Sequence, residues 1–245
     1  MDDDAISTND KKEVKKERTV KAGQKCTAIR RTIVPENLTE AVINALKDRL
    51  KTNTIGDPAV EGVRMGPLAG MGQVKDVKDK VRQLMKSCEL VYGDLDKVEV
   101  TGADSQKGAF ISSLLLYCND PLHKTEPHSI EAFGPVSTVM PYKTADEAAI
   151  LAKMGKGSLV GSVFTGDNRF AKSVVLGSAC MHGRMVIINK ECAAESTGHG
   201  SPLPHLVHGG PGRAGGGEEM GEAAGRSEEH TSELQSLTNL VCRLL

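Results

Sequence analysis

Between residues 28 and 189, short apolar runs alternate with stretches where apolar residues recur every three or four positions. Residues 28–34, 110–117, 134–142, 159–165 and 184–189 read as strands. The run 110–117 is apolar enough for burial on both faces, as in a parallel sheet. Residues 89–92 form a shorter strand candidate, closed by Gly93-Asp94. Leu38, Val42, Ile43, Leu46 and Leu50 share one helical face, with Asn37 or Thr39 as cap. Val74, Val77, Val81, Leu84 and Met85 recur at helical spacing in a helix opened by Pro67. Thr144 with Glu147 three residues on forms a capping box for a helix to about Met154. Asp167 caps another helix, to about Ser178. Gly56-Asp57-Pro58 marks a turn inside the loop 53–65. Strands alternating with helices need crossover connections, so the pattern predicts an α/β fold with a mainly parallel sheet flanked by helices.

Composition narrows what such a fold can do. Of the 245 residues, 39% are apolar and 26% charged, which fits a folded soluble chain. The net charge of −1 provides no field to draw the chain onto nucleic acid or an anionic membrane. Aromatic residues are 3% and Trp is absent, which disfavours base-stacking surfaces. No apolar run is long enough to span a membrane. The charged start lacks an apolar signal core, so a cytoplasmic location is expected. Six cysteines stand no closer than 12 residues apart, so no CxxC metal or redox pair exists. His199, His205 and His208 do not share a helical face, so they read as surface or loop-packing residues, and no metal site is expected.

Two short segments carry candidate chemistry. In Lys21-Ala22-Gly23-Gln24-Lys25-Cys26-Thr27-Ala28 a small-residue turn precedes a cysteine at a strand entrance. A nucleophilic cysteine needs an exposed thiol, a stabilised thiolate and backbone donors near the attacked carbonyl. Gly23 allows close backbone approach there. A buried structural cysteine is the alternative, and spacing alone leaves both open. The second segment, Glu131-Ala132-Phe133-Gly134-Pro135, sets a carboxylate and an aromatic ring at the next strand entrance. A solvated Glu and a core Phe are the plain alternative. The Gly-rich stretch 208–217 has no Lys-Ser/Thr ending for a phosphate cradle and reads as a tight backbone passage.

Taken together, a GQxC cysteine and an ExFGP bend about a hundred residues later resemble the signature of the aldehyde dehydrogenase superfamily. Ile29-Arg30-Arg31, Gly56-Asp57-Pro58, Met65-Gly66-Pro67-Leu68 and the strand 183–189 match in the same order. The resemblance covers residues 19–221 and implies that superfamily's catalytic-domain fold, truncated. The stretch 191–221 is similar to a ring-opening branch that oxidises CoA-linked semialdehydes in aromatic (phenylacetate) catabolism. By resemblance, Cys26 is the nucleophile and its backbone N–H an oxyanion donor. Glu131 would hold the nicotinamide ribose of NADP or NAD, and Phe133 would orient the nicotinamide ring. The implied partner is a small-molecule aldehyde, CoA-linked, with a homo-oligomeric parent enzyme. Arg18 and Ser113 stand where the resemblance leads one to expect Met and Pro.

The ends read differently. Residues 1–18 form a charged lead-in, non-native or frayed. Residues 226–236 coincide with the in-frame translation of a common short-read sequencing adapter, so residues 222–245 are expected to be a foreign tail. The superfamily's dinucleotide-binding domain, general-base Glu and oxyanion Asn are not found before Cys26. A catalytically inert truncated product is therefore one alternative for this chain. A cysteine hydrolase with a histidine base near Cys26 is the other.

Overall fold

The computed structural model describes residues 20–200, 209–215 and 238–242. In chain order the elements are β1 (Ile29–Pro35), α1 (Thr39–Lys51), α2 (Met71–Leu84), β2 (Glu89–Tyr92), β3 (Leu114–Tyr117) and α3 (Glu126–Ser129). They continue with β4 (Val136–Tyr142), α4 (Ala145–Lys153), β5 (Ser158–Phe164), α5 (Asn168–Ser178), β6 (His182–Ile188) and β7 (Thr238–Cys242). The sheet runs β2-β3-β4-β1-β7-β5-β6. The β2–β3 pair is antiparallel and the remaining pairs are parallel. This is the mainly parallel α/β sheet that the sequence pattern implies.

Strand periodicity builds a core on each face of the sheet. Leu114 and Leu116 of β3, with Val136 and Met140 of β4, meet Val74, Val77, Val81 and Leu84 of α2. The intervening Leu115 and Val139 point the other way, to Val42, Ile43, Leu46 and Leu50 of α1. Ile33, Tyr142 and Val163 pack on Leu151 of α4 and on Phe170 and Val174 of α5. Each fully buried Leu contributes roughly 1.5–3 kcal/mol relative to leaving it exposed.

The element starts differ from the sequence expectation in physical detail. Thr39 is not the cap of α1 but its first residue, and its Oγ1 donates back to Pro35 O at 3.2 Å. A 3₁₀ turn, Glu36–Leu38, fills the place that an Asn37 cap would have taken. Helix α2 opens at Met71 rather than Pro67, because Leu68 N–H is bonded to Ala109 O in a loop pairing. Met85 lies just past it and is exposed. Strand β3 begins only at Leu114, where Leu114 N–H bonds Pro135 O and the ladder with β4 starts. Asp167 caps α5 as expected, accepting from Arg169 and Phe170 N–H. At α4, Thr144 Oγ1 accepts from Glu147 N–H, while Glu147 reaches back to Lys143 N–H, one residue before the cap.

Two late segments close the sheet's far half. Residues 209–215 cross the entrances of β5 and β6, where Arg213 N–H bonds Lys156 O at 3.1 Å. A Cβ on Gly183 would overlap Gly209 O, so this passage admits backbone only. His205 and His208 lie outside the described residues. Strand β7 falls within the stretch 222–245 that sequence reading sets apart from the fold. It is an interior strand of the sheet, with Leu240 opposite both Thr32 of β1 and Ser162 of β5. Asn-Leu-Val-Cys is a short run with strand-forming residues, and the position between β1 and β5 offers it backbone partners on both sides.

Candidate active site at the cysteine turn

Cys26 leaves a left-handed turn. Lys21, Ala22 and Gly23 have φ of 51°, 51° and 70°. Left-handed geometry costs roughly 1–2 kcal/mol for each non-glycine residue, so surrounding contacts must hold it. Gln24 N–H bonds Lys21 O at 3.0 Å, and Ala22 is buried in the α2-side core. Gln24 Oε1 accepts from Ala69 N–H at 2.9 Å, which ties the turn to the loop before α2. The turn and that loop border an open groove of about 420 Å³ lined by Lys21, Gln24, Arg64 and Leu68. Cys26 itself is half-buried and not in a disulfide.

The turn sits directly on the 131–135 bend. A Cβ on Gly23 would come within 2.3 Å of Gly134 O, so only glycine permits this approach. Arg30, 4% exposed, fastens the two segments. Its Nη2 donates to Gly23 O at 2.6 Å and its Nη1 to Gly134 O at 2.5 Å. Its Nε lies 3.6 Å from Glu131 Oε1, and its guanidinium carbon stands 5.3 Å from the centre of the Phe133 ring. The same guanidinium interacts electrostatically with Cys26.

Electrostatics here follow from burial. Desolvation holds Arg30 below the usual arginine range, opposed by the nearby Glu131 carboxylate. Desolvation likewise holds Glu131 above the usual carboxylate range, opposed by Arg30 and then Arg213. Glu131 Oε1 is buried and has no hydrogen bond beyond its contact with Arg30. It therefore keeps an unfilled acceptor site in the folded chain. The Phe133 backbone is fixed by Gln73 Nε2, which donates to its carbonyl at 2.9 Å.

The described imidazoles have other commitments. His199 is fully buried, and its Nδ1 lies 2.7 Å from Ser162 Oγ. Its ring also hydrogen-bonds the Thr27 backbone, and burial lowers its pKa to about 3. It is a loop-packing residue beneath the cysteine strand, and a weak base at neutral pH. His128 pairs with Arg31 and Pro121 O, His182 with Ser178 O and His123 with Asp120. No cluster of metal-ligating side chains occurs among the described residues. Sequence reading missed Arg30 as the fastening residue, although two adjacent charges inside a strand read as buried are a visible anomaly. Ser113 is integrated into the core, where Asn53 Nδ2 donates to its Oγ at 3.3 Å. Arg18 lies outside the described residues.

Comparison with known proteins adds an independent line. The sequence profile of the aldehyde dehydrogenase family matches residues 2–231. The 3,4-dehydroadipyl-CoA semialdehyde dehydrogenase of Aromatoleum evansii is 40% identical over 200 residues, 82% of this chain and 39% of that protein. Protein MaoC of Klebsiella aerogenes is 48% identical over 158 residues, 64% of this chain and 45% of that protein. The chain thus spans about two fifths of the length of these relatives. Among solved structures, succinic semialdehyde dehydrogenase from Streptococcus pyogenes with NADP+ aligns at TM-score 0.69 and 25% identity, over 83% of this chain and 41% of that one. Betaine aldehyde dehydrogenase from Staphylococcus aureus with NAD+ gives 0.70 at 21% identity, over 83% and 38%, a likeness of fold.

Proposed function

Because this chain belongs to the aldehyde dehydrogenase family, we propose that it is the cysteine-bearing part of an enzyme that oxidises a CoA-linked semialdehyde to the acid. Cys26 adds to the aldehyde carbon, forming a thiohemiacetal, and is freed when water hydrolyses the resulting thioester. A nicotinamide dinucleotide, NADP or NAD, supplies the hydride acceptor when bound. Glu131 and Phe133 are the residues here that would hold it. The unfilled acceptor on Glu131 Oε1 and the partly exposed Phe133 ring fit a hydroxyl-bearing sugar and a flat ring. The Cys26 backbone N–H would donate to the developing oxyanion.

The observation that carries this reading is the contact of Gly23 with Gly134 under the Arg30 clamp. It brings a cysteine turn and a Glu-x-Phe bend to one place. The CoA-linked substrate rests on the name of the Aromatoleum relative and on the stretch 191–221. By the same resemblance the longer enzyme belongs to aromatic catabolism and is a homo-oligomer. No helix among the described residues is long and apolar enough to cross a membrane.

A protection experiment tests the proposal. The chain is incubated with a CoA-linked semialdehyde, alkylated with iodoacetamide and mapped by peptide mass spectrometry. Slower labelling of Cys26, with exposed Cys180 and Cys192 unchanged, is the expected outcome. Equal labelling of Cys26 with and without the semialdehyde counts against it.

A further inference from the structure

Away from this site, two cysteines face each other across the edge of the sheet. The β2–β3 register sets Glu89 opposite Tyr117 and Leu90 opposite Leu116. One further rung sets Cys88 opposite Cys118. Both belong to the core cluster under α2, so both side chains lie on the same face. Cys88 N–H bonds Leu84 O, and Cys118 N–H bonds Val139 O. Neither amide goes to the other residue, which is the arrangement of a non-hydrogen-bonded antiparallel pair. Such pairs have Cα atoms about 4.5 Å apart, within the roughly 4.4–6.8 Å that a disulfide requires. The two thiols are close enough to interact electrostatically, and neither cysteine is in a disulfide.

We propose that Cys88 and Cys118 form an oxidation site, a vicinal cross-strand dithiol that a hydroperoxide converts to an intramolecular disulfide. Cys118 is fully buried and Cys88 is 7% exposed, so the oxidant must enter from the Cys88 side. Strand β2 permits this, because it is a four-residue edge strand with one exposed and three half-buried residues. Short edge strands open locally at low free-energy cost. The Cys88 thiol first, and then the Asp120 backbone, favour the thiolate on Cys118 against burial, while the Cys118 thiol and burial keep the proton on Cys88. With β2 opened, the entering hydroperoxide reaches the Cys118 sulfur, which attacks the O–O bond, takes one oxygen as a sulfenic acid and releases an alcohol, or water from hydrogen peroxide. The Cys88 sulfur then attacks the Cys118 sulfur, the S–O bond breaks, and the hydroxide leaves as water with the Cys88 proton. Two thiols lose two hydrogens in all, and one peroxide is reduced. Met85 and Lys86, both exposed just before Cys88, leave that approach open to a small peroxide.

The test treats the folded chain with a small excess of hydrogen peroxide, blocks remaining thiols, digests without reductant and identifies linked peptides. The expected product joins the Cys88 and Cys118 peptides with loss of two hydrogens. It is reversed by dithiothreitol and accompanied by a higher melting temperature. In Cys88→Ser, dimedone is expected to trap the Cys118 sulfenic acid. Should that variant fail to fold, the linked-peptide yield in the unaltered chain, folded against unfolded in urea, decides alone. Cys88 and Cys118 remaining reduced while Cys180 or Cys192 oxidises would overturn the proposal. So would a mixture of pairings like that of the unfolded chain.

Discussion

Arg30 and Arg31 are chain neighbours, both nearly sealed from water, and they do different work. Arg30 has a carboxylate beside it, an aromatic ring against it and two carbonyls from separate loops. Arg31 has no carboxylate partner among the described residues. It donates to Leu151 O at 2.8 Å, to Ala152 O at 3.0 Å and to His128 Nδ1 at 2.8 Å. Those carbonyls belong to the last turn of α4, where the helix leaves acceptors unfilled and carries its negative end. Arg31 is therefore a helix-end fastening, and desolvation drops its pKa to about 9. Arg30 is a joint between the cysteine turn and the 131–135 bend. The pair teaches that burial alone does not mark a functional charge. The identity of its partners does.

The largest effect expected is on the buried imidazoles under acid. His128 and His182 are lowered to about 4 and His199 to about 3, all chiefly by burial. Unfolded histidines bind protons near pH 6.5, so the unfolded state holds more protons between about 6.5 and 4. Stability is therefore intact above 6.5 and falls as pH drops through that window, by a few kcal/mol per histidine on the order of these shifts. Urea midpoints measured from pH 7 to pH 4 should fall steeply. A flat profile would contradict the assignment of these imidazoles as buried and neutral.

Next in size, Arg31→Met strands two helix-end carbonyls and the His128 nitrogen. A loss of about 3 kcal/mol or more is expected by chemical denaturation. Because no carboxylate is left behind, no second substitution at an acidic residue should recover it. Arg30→Met should cost about 3 kcal/mol as well, by leaving Glu131 buried and unpaired. Here Glu131→Gln in the same chain should restore part of the loss, and a double-mutant cycle measures that coupling. Additive effects would show that the 3.6 Å contact carries no energy. Gly23→Ala should cost about 2 kcal/mol, from the left-handed backbone and the overlap with Gly134 O. Cys26→Ala should leave the unfolding free energy measured in urea within about 0.5 kcal/mol of the parent chain, as for a substitution outside the core.

The parallel sheet was legible in the sequence because its apolar runs alternate with helical periodicity. Leu114 to Tyr117, and Val74 through Leu84, follow those periods without conflict. Exact starts were less legible, since they depend on distant partners. Nothing local in Pro67 announces that Leu68 bonds Ala109, nor in Phe110 that the ladder waits for Pro135. Both segments of the candidate site could be read from short motifs. Their joint could not, because Arg30 lies 104 residues from Gly134 and a charge within a strand does not name its partner. Residues 238–242 were set aside for their adapter-like surroundings, and pairing on both sides with β1 and β5 is a long-range fact that local sequence does not carry.

Whether Arg30 unites the cysteine turn with the Glu131–Phe133 bend is tested most directly by the alkylation rate of Cys26, compared at equal folded fraction in the parent chain, Arg30→Met and Arg31→Met. Releasing the cysteine turn from the hydrogen bonds that Arg30 makes to Gly23 O and Gly134 O should change the labelling rate in Arg30→Met severalfold. Arg31→Met should label at the parent rate. Equal rates in all three chains, or slowing in Arg31→Met alone, would contradict the assignment of Arg30 to the site.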